Sequence, residues 1–502
     1  MKLSGLTARQ HLKDQSNGWI ENCLRKDLEP LDPVHTFNAV HKIVRSIEEF
    51  INISMHEVDL EQFNTLRVMP ILRWNSYYNN LLDNMLRPRF EKVVVDRYKR
   101  VVLESHQMLV EFSMTGDNLG YSTVMEAAIF YQAFRRHFIN TFLIVPTYCK
   151  GGVKLSESEL LRVLVNISNF CLINVTALQT QLLLSHVYKD YQIDIYQNGA
   201  IVGNYQFDFL EKVFTEPERV SADDPVMGEA FKLVANRLLP LARGKVFSLS
   251  ELTNECLLIK SYFEYFNHTD PIFTLLVNVV EKLVEHIKDE YFISVHQKRF
   301  DAILMSFGER DAEIIRQRLL HNSEDFVVIS NSHHPFVKIG VHYKSNVNLI
   351  VRFLYNLKNA SLNKSKQFQI KSGFIFENNV KIELGGLGFQ IMDVKRIKRK
   401  EFDVVTFRDG VLFNFQCKNN FVDVTLIEKN REKFARKNSL LVRYYLKAIE
   451  KEVNREHLLI EKYGVQDVRH FVISRFPVVT KEPSIIMSKD LNRFRRPIVN
   501  KQ

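Results

Sequence analysis

The residues of this chain best placed to do chemistry stand close together near its C-terminal end. Residues 401–420 read EFDVVTFRDGVLFNFQCKNN. Two apolar runs flank Asp409-Gly410, a pair that favours a two-residue hairpin turn. A symmetric hairpin about that pair sets Phe407 against Leu412, Val405 against Asn414, Asp403 against Gln416 and Glu401 against Lys418. Side chains alternate along a strand, so 403, 405, 416 and 418 share one sheet face. Val404, Phe413, Phe415 and Cys417 take the other face and are expected to pack as core. One face thus gathers a carboxylate, an amide oxygen and an ammonium. A lone charged trio at a strand end is ordinarily just solvated. Three such groups in register, flanked by apolar strands, carry a stronger signal.

The elements that must position this trio can be read upstream. Residues 371–389, KSGFIFENNVKIELGGLGF, have the pattern of a helix with Phe376, Val380, Leu384 and Leu387 on one stripe. Gly385, Gly386 and Gly388 mark its C-terminal end, and Glu377 points off the stripe. QIMDV (390–394) reads as a short strand and KRIKRK as a basic crossing into the hairpin. The order is a helix with Glu377, a strand, a strand with Asp403, and a strand with Gln416-Cys417-Lys418.

This ordered set resembles the core of the PD-(D/E)XK, or restriction-endonuclease-like, nuclease superfamily, in the D…QxK form found in Mrr-type restriction enzymes. The likeness covers about fifty residues well and implies 365–502 as a domain. It implies a magnesium site, with Mn²⁺ able to substitute. Asp403 would be the central ligand, and Gln416 and the Cys417 backbone carbonyl further ones. Glu377 would reach in from its helix, and Lys418 would orient the attacking water and offset phosphate charge. Gln416 replaces the family's usual acid, which removes one negative charge and weakens metal binding. The implied activity is Mg²⁺-dependent DNA cleavage, in a setting such as restriction or defence against foreign DNA.

Charge distribution fits a polyanionic partner for the same region. The chain has 68 Lys+Arg and 58 Asp+Glu, a net +10. Residues 391–502 hold 25 basic against 14 acidic side chains, while 1–390 hold 43 against 44, so the excess lies entirely in the last part. Residues 426–453 read as a long helix with Arg431, Lys433, Arg436 and Lys437 on exposed turns, placed to contact DNA phosphates. HFVISRFPVV (470–479) reads as a further core strand, and the tail LNRFRRPIVNKQ adds three arginines. Each basic cluster can equally serve solubility alone.

At 502 residues the chain is too long for one core. The expected class is α+β multidomain. A mostly helical region, 1–300, with a β-hairpin at 191–207 around Asn198-Gly199, precedes a mixed connecting region, 301–364. An α/β nuclease-like domain, 365–502, completes the chain. Long helices are expected from His35, after a Ser122 cap, after a Ser156 or Ser158 cap, and over 270–292 after Asp270. Within the connecting region EDFVVIS (324–330) reads as a strand, SNSHHPFVKIG as a loop, SNVNLIVRFLYNLKNA (345–360) as a helix, and SLNKSKQ (361–367) as a linker. His333 and His334 lack the further ligands that a metal site needs.

Five scattered cysteines, Cys23, Cys149, Cys171, Cys256 and Cys417, form no disulfide or zinc framework. With no apolar leader, the cytoplasm is the simplest compartment. Residues 163–185 carry no formal charge and are long enough to span a bilayer, but five Asn and Gln interrupt them, so a helix of a soluble domain is expected. No phosphate-binding loop, dinucleotide fingerprint, serine elbow or zincin motif is present. Three readings follow: an Mg²⁺-dependent endonuclease whose helical region dimerises or docks a partner; a DNA-binding module with an inactive nuclease core; and an interaction protein acting through its helices. No membrane partner is expected.

Overall fold

The structure is a computed structural model describing residues 1–53, 68, 70–71, 76–115, 122–167, 173–207, 225–240, 242–247, 249–288, 290–330, 332–394, 396–420, 422, 426 and 430–495. It is mixed α+β, a helical N-terminal region followed by a mixed sheet.

Strand β1 (Lys2–Ser4) leads into α1 (Gly5–Trp19), followed by α2 (Pro33–Asn52), α3 (Lys92–Thr115), α4 (Val124–Ala133), α5 (Arg135–Tyr148), α6 (Glu157–Asn166) and α7 (Ile173–Val187). The starts follow local capping chemistry. Asp32 accepts from His35 N at 2.6 Å ahead of Pro33, and Ser156 and Thr123, the latter rather than the expected Ser122, close capping boxes with the glutamate three residues on. The single helix expected from Thr123 is two, breaking at Phe134. The expected hairpin forms as β2 (Gln192–Ile195) and β3 (Ile201–Gly203), and β1 adds to β2 as a third strand.

After α8 (Pro271–Val284), capped by Asp270, the helix expected over 270–292 gives way to strands. A four-stranded sheet of β4 (Ile287–Lys288), β5 (Phe292–His296), β6 (Val337–Ile339) and β7 (His342–Asn346) has the order β4-β5-β7-β6. Three further expectations are corrected here. The 324–330 run is not a strand but a short helix, α9 (Phe326–Ser330), because Asp325 accepts from Val328 N at 3.0 Å and its carbonyl takes Ile329 N at 2.8 Å. A short apolar run fits either period, and the cap decides. The end of the expected 330–340 loop pairs as β6. The polar 361–367 segment is no linker: α10 (Val347–Leu362) and α11 (Lys366–Gly386) are separated by three residues, with Ser365 capping α11. One continuous apolar core runs from Ile20 to Phe368 and takes in the helices, the four-stranded sheet and α10.

The C-terminal sheet comprises β8 (Gln390–Met392), β11 (Val404–Arg408), β12 (Val411–Lys418), β13 (Val468–Ser474) and β14 (Ile485–Met487), in the order β14-β13-β12-β11-β8. The basic crossing before it folds into a two-rung hairpin of β9 (Arg396–Ile397) and β10 (Lys400–Glu401). The β8-β11-β12 strands are antiparallel, and β13 runs parallel to β12 after the crossover helices α12 (Arg431–Asn454) and α13 (Glu456–Tyr463). Helix α12 begins later than expected, at Arg431, where the Asn430 side chain accepts from Lys433 N at 2.9 Å. Helix α11 covers one sheet face through Phe376, Val380 and Leu384 on Val404, Phe413 and Phe415. The other face meets α12 and α13 through Val405, Leu412, Leu459, Tyr445 and Val472. A seam of Ala8, Leu12, Leu178, Leu182, Phe434 and Val479 ties this domain to the helical region. Among the described residues no helix is long and apolar enough to cross a membrane.

Candidate active site

The hairpin that organises the site has the register its turn dictates. Asp409 and Gly410 both adopt positive φ, 53° and 80°, the pattern of a type I′ turn whose twist matches the flanking strands. Phe407 pairs with Leu412, Val405 with Asn414, and Val404 with Phe415. Beyond Val404 the ladder ends, and a side chain takes over. Asp403 Oδ2 accepts from the Cys417 backbone N–H at 2.9 Å, the bond a neighbouring strand carbonyl would otherwise make. Gln416 and Lys418 leave the sheet on one face, and Lys418 Nζ donates to Gln416 Oε1 at 3.3 Å. That contact assigns the amide: its oxygen faces the ammonium, because two donors would repel. Gln416 Nε2 then points inward, buried and without a hydrogen-bond partner.

The Asp403 carboxyl is pushed above its ordinary range by burial, against which the Lys418 charge and the Cys417 N–H pull it down. The Cys417 thiol packs with the opposite face, near Phe413 and Phe415. Burial raises it well above the usual thiol range, reinforced by the charges of Asp403 and Glu377.

Glu377 is half-buried on α11 and approaches from the Cys417 side of the sheet, opposite Gln416 and Lys418. Among the described residues no group of three or more His, Cys, Asp and Glu side chains is placed to hold a metal ion. Asp403, Gln416 and Lys418 thus come together, and Asp403 and Glu377 both act on the Cys417 thiol. The remaining donor set is a carboxylate, an amide oxygen and, on the strand edge facing Asp403, the Cys417 carbonyl. All three are hard oxygens. They fit Mg²⁺ or Mn²⁺ of the kind that keeps most of its water shell.

A polar network behind the trio was not visible in the sequence. Asn414 Nδ2 donates to Glu452 Oε2 at 2.8 Å and lies 3.2 Å from His470 Nδ1. Arg455 pairs with Glu452 through Nε at 2.8 Å and through Nη2, and its guanidinium covers the Phe402 ring at 4.6 Å. His470 Nε2 meets Glu456 Oε2 at 2.8 Å. The network joins α12 and α13 to β12 and β13, with Phe402 just ahead of β11. Its one sequence signal is Asn414, a polar residue inside an apolar strand. Ahead of the site, Asn419 donates to Ser372 Oγ at 2.7 Å and accepts from Arg475 Nη1 at 2.9 Å, bridging α11 to the end of β13.

The expected phosphate-contacting residues divide. Lys433 and Lys437 are exposed on α12, as is Arg436. Arg431 is not on an exposed turn. It is half-buried and donates to Gln179 on α7, which draws it into the interdomain seam. Of the tail arginines, Arg493 donates to Pro483 O at 2.6 Å, and Arg496 lies outside the described residues. A cleft of about 640 Å³ lies away from the trio, between α7 with β3 and the Val478–Arg493 segment, lined by Thr180, Gln181, Phe207, Lys481 and Arg493. It contains none of the candidate residues. Comparison with protein-family models, with curated proteins and with solved structures returned no match.

Proposed function

We propose that this chain is a metal-dependent endonuclease that hydrolyses phosphodiester bonds of DNA, with Asp403, Gln416 and Lys418 as its catalytic groups. One observation carries the reading. Asp403 caps the Cys417 N–H at the point where Gln416 and Lys418 emerge on one sheet face. The surrounding succession of α11, β8, β11, β12, α12 and β13 supports it, being the helix–strand order implied by the PD-(D/E)XK resemblance.

Asp403 and Gln416, with the Cys417 carbonyl, would hold Mg²⁺ or Mn²⁺. When bound, such an ion lowers the pKa of a water and takes up charge on the phosphate. Lys418 brings a positive charge fixed beside Gln416, placed to meet a non-bridging phosphate oxygen as charge builds. Asp403 must be ionised to act, although its burial favours the neutral acid. The nearby ammonium and amide N–H supply the compensation. Cutting both strands of a duplex requires two such sites, hence two copies of the chain.

Gln416 in place of the family's usual acid leaves one less negative charge to hold a metal, which favours a second reading, a nuclease-fold module that binds DNA without cutting it. A cleavage assay with Mg²⁺ or Mn²⁺, wild type against Lys418→Ala, separates the two. Cleavage by wild type alone supports the enzyme. DNA binding with no cleavage by either protein favours the binding module.

A further inference from the structure

Resting on the nuclease reading, we propose that Tyr444 is a stacking platform for an unpaired base, so that the site takes single-stranded or locally opened DNA in preference to intact duplex. The outward positions of α12 are Lys433, Arg436, Lys437, Leu440, Arg443, Tyr444 and Lys447, each exposed and spaced at three and four. The helix carries seven Lys/Arg and three Glu. In the middle of this basic face stand two large apolar side chains, Leu440 at 58 % and Tyr444 at 52 % exposure. Its neighbour Tyr445 behaves oppositely. It is fully buried, with its hydroxyl against Ser474 Oγ. The helix therefore spends one tyrosine on the core and leaves the other facing solvent.

The position of that ring gives it a role. Lys418 Nζ lies 5.8 Å from the Tyr444 centroid, on the same side of the sheet as Gln416. A nucleotide whose phosphate meets Lys418 has its base within reach of the ring. In intact duplex both faces of a base are covered by its neighbours, so an unstacked base alone can lie on a tyrosine. Arg443 and Lys447 flank the ring and supply a sequence-independent track for the adjoining phosphates. Base–aromatic stacking with flanking cations is how single strands are held without readout of sequence.

The test uses the full chain, a single-stranded DNA oligonucleotide containing 2-aminopurine, and the matched duplex, in the absence of divalent metal. Wild type is expected to quench the probe on the single strand. Tyr444→Ala and Tyr444→Leu should both weaken single-strand binding by roughly ten- to a hundredfold, the size of one base stack, with duplex binding changed little. Tyr444→Phe should restore binding and quenching. Tyr444→Leu keeps the apolar bulk, so recovery by Leu would overturn stacking. So would equal losses on both substrates, or wild-type single-strand affinity in Tyr444→Ala. In a parallel arm with Mg²⁺ added, a protein that cleaves single strand and duplex alike, with or without Tyr444, refutes the stacking role and leaves the nuclease reading standing. Failure of wild type to bind either nucleic acid overturns both.

Discussion

The Glu48–Glu49 pair of the helical region and the end of the β11–β12 hairpin both bury charge, and they do so in opposite ways. In the helical region Arg135 grips Glu48 through two bonds of 2.7 Å, and Asn348 adds a third at 3.0 Å. Glu49 is held by Arg97 and, at 3.0 Å, by Arg45. Every one of these carboxylates is matched by forked donors. At the hairpin end, Asp403 accepts from one backbone N–H and has a neighbouring ammonium, and Gln416 Nε2 donates to no acceptor. Matched charge fixes a fold. Incompletely matched charge at a strand end is tolerated where a site needs it.

The comparison can be broken at its strongest point first. Glu48→Ala leaves the Arg135 guanidinium buried without its carboxylate. It should lower stability by about 3–5 kcal/mol, read by denaturant unfolding. A loss below about 1 kcal/mol would mean that the pair is no brace. Lys418→Ala should instead unfold like wild type while cleavage falls by about 10²–10³-fold, the size of one preorganised charge on a transition state. Equal loss of DNA binding would make Lys418 a binding residue. The double reversal Lys433→Glu with Lys437→Glu should flatten the log–log salt dependence of duplex affinity by about 2, since each neutralised phosphate contributes about 0.9. An unchanged slope would remove α12 from the interface.

The smallest effect sharpens the contrast most. Burial raises the Asp403 carboxyl, so the folded state holds its proton more tightly than the unfolded chain does. Stability attributable to this group is therefore present below its ordinary pKa and lost as pH rises through the raised value. Asp403→Asn should remove that loss, raise Tm modestly at neutral pH, and show no advantage in acid. It should also abolish cleavage. A lower Tm for Asp403→Asn at neutral pH would contradict the idea that the site is kept at the expense of stability.

Much of the site was legible because local rules govern it. The Asp409-Gly410 turn determined the register, and alternation then separated Val404, Phe413 and Phe415 from Asn414, Gln416 and Lys418. Capping residues located α6 and α8 in the same local way. What stayed hidden is long-range. Nothing near Arg431 announces Gln179, some 250 positions earlier in the chain. The polar network likewise joins Asn414 to Glu452 and His470 across a crossover. The strand expected at 324–330 failed for a different reason, since a run that short has no period of its own and Asp325 settled it as helix.

The type I′ turn has an evolutionary consequence. A single-residue insertion or deletion at Asp409-Gly410 would exchange the faces of one strand against the other. Phe413 and Phe415 would be driven toward the polar network as Gln416 and Lys418 entered the α11 core. Site and core are two phases of one alternation, so a frame-preserving indel there cannot silence the chemistry and spare the fold. On the nuclease reading, descendants of this sequence that shed activity while remaining folded should do so by substitution at 403, 416 or 418, with the length of the loop between the strands unchanged.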